Sequence, residues 1–246
     1  MNYYIKQLVR FIYFLFHERI WKGRLKYIYK NNHNDRLVVV FSGFPNGDKP
    51  MYNYMRTLKV VKNVDQLFIL DDFGYKGSYY WMENGSDYPQ KLVEGLLNSF
   101  VRDKYKEIYT MGTSKGGTCA IFYGLMINAQ HIYAGACQYL VGDYLNTKEH
   151  RPILEAMLGE GFSEKDILKL NGKMPRQLTK YKDRHSQVHL LYSKVEHTYQ
   201  EHISFLIEDL KKNNISFTEQ VEAFEKHSDV GTYFIPFIQK ELSSKK

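Results

Sequence analysis

The chain of 246 residues has only two cysteines, Cys119 and Cys137. Neither belongs to a C-x-x-C pair or to a framework of spaced cysteines, which excludes a disulfide-stapled secreted scaffold. Both lie in apolar runs, so they read as buried thiols, and a reducing, cytoplasmic setting is expected. Nucleotide-binding signatures are missing as well, with no G-x-G-x-x-G and no G-K-[ST]. There is no H-E-x-x-H, and His197 and His202 are five apart, off a common helical face, so no metal site is expected. No apolar run approaches the ~20 residues that span a bilayer. The apolar stretch near the start is broken by Arg10 and followed by basic residues, so it does not read as a cleavable signal peptide. No Pro/Gly/Ser-rich linker or repeat divides the chain, whose length suits one α/β domain.

What is abundant is aromatic side chain, 15% of the residues, including 21 Tyr, within a hydrophobic content of 43%. That composition builds a core and excludes a disordered chain. Charge is unevenly placed. Residues 1 to 30 hold seven Lys and Arg against Glu18 alone, a net +6 of the total +7. Two parts are therefore expected: a basic aromatic segment over 1–30 and a folded α/β domain over 31–246. The first segment reads either as an interfacial helix on an anionic membrane surface or as a helix packed on the domain with a basic edge. Nucleic acid is not an expected partner, since no recognition motif or second basic patch accompanies it.

Short β-branched or apolar runs predict strands at 36–41, 64–70, 107–111, 132–137, 187–193 and 216–221. Helical patterns fall between them at 51–62, 89–104, 118–128 and 202–213. Strands alternating with helices imply parallel pairing through crossovers, hence a three-layer α/β fold with a mostly parallel sheet. Ligands then bind at the carboxyl ends of the strands.

At one such end stands Gly112-Thr113-Ser114-Lys115-Gly116-Gly117, between the strand ending at Met111 and the helical run from Thr118. This is the G-x-S-x-G nucleophile elbow in its required strand–turn–helix setting, with Ser114 on the turn. A serine hydroxyl needs a base, usually an imidazole oriented by a carboxylate, and elbow enzymes supply them in the order Ser, acid, His. His227, in the polar loop after the last predicted strand, is the candidate base. Glu196, in the loop after the strand ending at Ser193, is the candidate acid, with Asp143 as its rival and Asp229 too close in sequence to His227 to reach it easily. Oxyanion donors are expected from the backbone N–H of Lys115 and from that of Phe44 or Gly43 in Ser42-Gly43-Phe44-Pro45. The loop Asp71-Asp72-Phe73 to Tyr79-Tyr80-Trp81 offers carboxylates and ring faces suited to a sugar, so Gly43, Asp72, Tyr79, Tyr80 and Trp81 are candidate substrate contacts. The Lys115 side chain reads as a solvated helix-start residue or as an attraction for an anionic substrate.

With these residues assembled, the chain from about Val38 to Phe237 resembles the α/β-hydrolase-like proteins of bacterial capsule biosynthesis. The resemblance rests on Phe41–Pro45 with Tyr52-Asn53-Tyr54, Gly77–Tyr80, Gly112–Gly117, Ala136-Cys137-Gln138, Gly142-Asp143-Tyr144, Lys194-Val195-Glu196 and His227-Ser228-Asp229. A weaker likeness is to an accessory-secretion component with the same elbow. The family resemblance implies an α/β-hydrolase fold, Ser114 as nucleophile and His227 as base, with Glu196 where the family has an aspartate. It further implies acetyl-CoA as co-substrate, with no bound cofactor, and a sugar hydroxyl of an anionic capsular polysaccharide as acceptor; the basic segment is what offers a peripheral place at the inner face of the membrane. Esterase chemistry on the same residues and a non-catalytic capsule or secretion role are the alternatives.

Overall fold

A computed structural model describes Ile5 and residues 12–45, 47, 49–101 and 104–244. Its centre is one sheet: β1 (Glu18–Trp21), β2 (Leu25–Lys30), β3 (Arg36–Phe41), β4 (Asp65–Ile69), β5 (Glu107–Thr113), β6 (His131–Gly135), β7 (Gln187–Ser193) and β8 (Ser216–Glu222), in the spatial order β1-β2-β4-β3-β5-β6-β7-β8. From β4 to β8 all pairs are parallel. The β1–β2 hairpin adds antiparallel pairs on the β4 edge.

The central strands are apolar on both faces because both faces are covered. In β3, Leu37, Val39 and Phe41 pack with Ala120, Ile121 and Tyr123 of the helix Lys115–Met126. The alternate residues Val38 and Val40 pack with Phe234 and Ile238 of the helix Val230–Ser244. Each such side chain contributes about 1.5–3 kcal/mol of burial, and the result is three layers. The helices Tyr88–Val101 and Ser204–Lys212 lie on the first face.

Three expectations are corrected. The boundary at residue 30 fails, because residues 18–30 are two strands of the sheet. Lys22 and Gly23 take φ of 46° and 73° in the turn, the left-handed conformation that suits a twisted hairpin. Two cations of that segment are occupied internally: Arg24 and Lys26 each pair with Asp72 at 2.8 Å. The interfacial helix read there lies largely outside the described residues. Residues 12–17 are helical, with Tyr13 and Phe14 against the core and Leu15 and Phe16 exposed. No helix among the described residues is long and apolar enough to cross a membrane.

The helix predicted over 51–62 reduces to a 3-10 turn, Thr57–Val60. Tyr54, at φ 61°, interrupts it, and side chains of this stretch reach toward strand ends instead. Finally, four short helices not predicted from the sequence fill the connection between β6 and β7: Val141–Leu145, Arg151–Leu158, Glu164–Asn171 and Lys173–Lys180.

Candidate active site

The turn after β5 is built by close approach. A Cβ on Gly112 would lie 2.4 Å from the Gly116 backbone, and one on Gly116 would lie 2.6 Å from the Phe41 carbonyl oxygen. Only glycine lets β5, the turn and the helix touch there. Between the glycines, Ser114 is held at φ 53°, ψ −129°, a region costing on the order of 1–3 kcal/mol. Hydrogen bonds on both sides fix it: its N–H donates to Gly135 O at 2.8 Å, and its carbonyl accepts from Gly117 and Thr118 at 2.9 and 3.1 Å. Ser114 itself remains half-buried at the carboxyl end of the sheet.

The loop after β7 carries Glu196, 1% exposed. Its Oε1 accepts from His227 Nδ1 at 3.2 Å, and His197 Nδ1 lies 2.8 Å from the same oxygen. Thr198 Oγ1 donates to Oε2. Burial works to raise the Glu196 pKa, but the hydrogen bonds from His227 and Thr198 and the two imidazoles outweigh it, leaving a net lowering. Because the carboxylate accepts a hydrogen bond from Nδ1–H, a neutral His227 has its lone pair at Nε2, and that atom is buried without a partner. The rival acids are elsewhere: Asp143 is exposed on the helix Val141–Leu145, and Asp229 takes a hydrogen bond from Ser228.

The Ser114 hydroxyl accepts from Gln138 Nε2 at 3.0 Å, and no hydrogen bond joins it to His227 among the described residues. Gln138, wholly buried, is gripped in turn by Tyr79, whose OH donates to its Oε1 at 3.3 Å, and by Thr118 through its backbone. Sequence reasoning did not give this residue a role, although it is the first polar side chain after β6, at the sheet end where ligands bind. His197 was likewise weighed only as a metal ligand; no group of three His, Cys, Asp or Glu suited to a metal occurs among the described residues.

Around the elbow, the N–H of Lys115 opens a helix and has no carbonyl within the helix to bond. The Gly43 N–H donates to Asn53 Oδ1 at 3.0 Å, which leaves Phe44 as the free candidate in that loop. The Lys115 side chain overturns both readings given to it, since it is 0% exposed and its Nζ lies 2.5 Å from Asp71 Oδ2. It neither meets solvent nor reaches an incoming anion. Asp71 Oδ2 also accepts the N–H groups of Ser78 and Tyr80 at 2.9 and 3.2 Å.

That network explains why the aromatic loop is not a substrate surface. Tyr79, Tyr80 and Trp81 are each 0% exposed. The Tyr80 hydroxyl accepts the Ser42 N–H and donates to Ile69 O, tying β3 to β4, and Tyr79 stacks with Trp81 beneath the site. Asp72 is committed to Arg24 and Lys26. The rings serve the core, and the carboxylate serves the hairpin. The two cysteines are free and buried, and burial raises both thiols, Cys137 to about 12.

Beside the site opens a cavity of about 680 Å³, lined by Leu140, Tyr144, His150, His197 and His202 among others. Phe44 and the Glu196–His197 loop flank it.

A serine on a strained elbow, an imidazole held by a buried carboxylate and backbone donors nearby are the equipment for attack on a carbonyl. No family model matches the chain, and no curated protein matches it in sequence. Solved structures do match in shape. The capsule O-acetyltransferase of Neisseria meningitidis serogroup A superposes with a TM-score of 0.79 at 20% identity, covering 92% of this chain and 94% of that one. The chain has the α/β-hydrolase fold. The serine hydrolase FphF of Staphylococcus aureus, solved with substrate bound, matches at TM-score 0.59 and 15% identity, covering 89% and 91%. A glycosylation-associated protein complex of Streptococcus agalactiae matches at 0.68 and 16% identity, with 93% of this chain on 46% of that one. A histidine-to-alanine variant of the meningococcal enzyme has been solved in complex with CoA.

Proposed function

We propose that the protein is a serine-dependent acetyltransferase that moves an acetyl group from acetyl-CoA to a sugar hydroxyl of a bacterial capsular or surface polysaccharide. The observation that carries this reading is the pairing of a strained Ser114 with an imidazole whose Nδ1 is bound to buried Glu196 and whose Nε2 is unpartnered. The shape likeness to a capsule O-acetyltransferase, and the CoA complex of its variant, support the choice of donor and acceptor.

In the first half-reaction Ser114 Oγ leaves Gln138, gives its proton to His227 Nε2 and attacks the thioester carbonyl. The N–H groups of Lys115 and Phe44 take the developing oxyanion, and the thiol departs with the proton from His227. In the second, a sugar hydroxyl loses its proton to His227 and removes the acetyl group from Ser114. Glu196 holds the imidazole in the required tautomer throughout.

With labelled acetyl-CoA and capsular oligosaccharides, label is expected on the sugar, and Ser114→Ala is expected to lower transfer at least ~10³-fold. A folded wild-type protein that labels no acceptor across a panel of polymers overturns the reading. The hydrolases among the structural neighbours favour one alternative, an esterase in which water replaces the sugar. Release of acetate from acetylated polymer without any dependence on CoA distinguishes it.

A further inference from the structure

The cavity beside the site differs in charge from what an anionic polymer needs. Resting on the acyl-transfer reading above, we infer that this cavity receives the acceptor, and that the acceptor is a hydroxyl-rich sugar carrying no negative charge. Its position fits the first part. The Phe44 ring lies 6.5 Å from that of Tyr144 and 6.3 Å from that of His150, two wall residues. On the other side, His197 is 2.8 Å from Glu196 and its ring is 5.9 Å from that of His227. A sugar in the cavity sits between the candidate oxyanion loop and the base.

Its charge carries the second part. The lining includes Asp143, Glu149 and Glu201 against Lys148 alone. No ion pair neutralises any of the three acids among the described residues, nor do they group as a metal cage there. They act on the cavity wall: Tyr144 is pushed up to about 12, first by burial and then by the fields of Glu149, Glu196 and Glu201. Such a wall disfavours phosphodiester or uronate groups, and equally the phosphates of CoA, whose nucleotide end therefore lies outside it.

The polar group offered to a ligand is a neutral one. His202 lines the cavity, is 2% exposed, and its Nδ1 accepts the Leu140 N–H at 3.4 Å. The ring proton of the neutral imidazole is then on Nε2, which has no partner. Burial lowers the His202 pKa to about 4, with His197 adding and Asp143 and Glu196 opposing, so the ring carries no charge near neutrality. An uncharged N–H donor matches a hydroxyl or amide oxygen. Beside it, Tyr144 and His150, stacked on each other at 4.7 Å, make an aromatic stretch of the wall, a surface suited to the apolar side of a sugar.

The test uses the full chain as Ser114→Ala, so that binding is read without turnover. Calorimetric titration with short oligosaccharides of equal length compares neutral, amino-bearing and phosphodiester- or uronate-bearing sugars. Neutral and amino sugars are expected to bind at least ~10-fold more tightly than anionic ones. Glu149→Gln with Glu201→Gln, shown folded by circular dichroism, is expected to narrow that gap, and His202→Phe to weaken neutral sugars at least ~5-fold. Anionic sugars binding as tightly as neutral ones, an unchanged gap in the double variant, or no sugar binding at all overturns the inference. Label transfer with Ser114 intact reports separately on the enzyme reading. Sugar binding without transfer defeats that reading and leaves this one standing, whereas transfer to an anionic polymer does the reverse.

Discussion

Two loops leave the carboxyl ends of β4 and β7, strands with β3, β5 and β6 between them, and each has a buried carboxylate near its start that meets different partners. After β4, Asp71 meets Lys115 and two backbone N–H groups in a dry, closed pair. After β7, Glu196 meets His227 and His197, and the far nitrogen of His227 is left without a partner. The same chemical ingredients, an acid and a nitrogen base near an elbow, close into a satisfied pair in one case and leave a nitrogen open in the other. The difference is charge and geometry. The Lys115 ammonium is a charge sealed from solvent beside its counter-ion, whereas an imidazole bound at one nitrogen still has the other.

The sharpest way to break that comparison is kinetic. Glu196→Gln is expected to lower acetyl transfer about 10³–10⁴-fold while the protein stays folded, because the amide stabilises the wrong imidazole tautomer and no imidazolium. Steady-state rates alongside a thermal melt check it. On the other loop the expected damage is to stability. Lys115→Met leaves Asp71 buried and unpaired and is expected to cost about 3–5 kcal/mol in denaturant unfolding. Lys115→Met with Asp71→Leu is expected to recover part of that loss, since removing both charges is milder than stranding one.

Acid separates the two loops in a third way. The folded protein holds Glu196 below its ordinary pKa. Its contribution to stability is therefore present above the ordinary carboxylate range and is lost as pH falls through the lowered value. The stability gap between the wild type and Glu196→Gln is expected to hold from pH 7 down to the ordinary glutamate value, about 4.3, and to narrow as pH falls below it, measured by chemical denaturation at each pH. The smallest effect belongs to Asp72→Asn, which loosens the bonds to Arg24 and Lys26. Those cations are about a third exposed, so a cost of ~1 kcal/mol or less is expected.

The parallel core was legible in the chain because its signals are local. The runs at 36–41 and 187–193 match β3 and β7 residue for residue, and the elbow glycines stand within five positions of one another. What was not legible depends on partners far along the chain. Lys115 looks like a solvated cation until Asp71, 44 residues away, is folded against it. Tyr79, Tyr80 and Trp81 look like a sugar platform because ring identity does not say which side faces solvent. The hairpin over residues 18–30 was hidden by its own charge: its cations mask an alternation that becomes clear only when Asp72 takes two of them. At the candidate site, loop placement pointed to His227 and offered Glu196 alongside Asp143; the fold brings Glu196 and His227 into contact. Nothing local announced that Gln138 would hold Ser114, or that His197 would share the acid.

The crowding at Gly112 and Gly116 has a consequence for descent. Because a methyl group at either position would collide with backbone, a descendant that had abandoned the reaction would still have to keep both glycines to fold, while Ser114 and His227 would be free to drift. The glycines are therefore a record of architecture, and on the acyl-transfer proposal the histidine is a record of chemistry. If that proposal holds, the position that sorts distant relatives of this chain into enzymes and retired scaffolds is His227, more than a hundred residues past the motif that first attracts the eye.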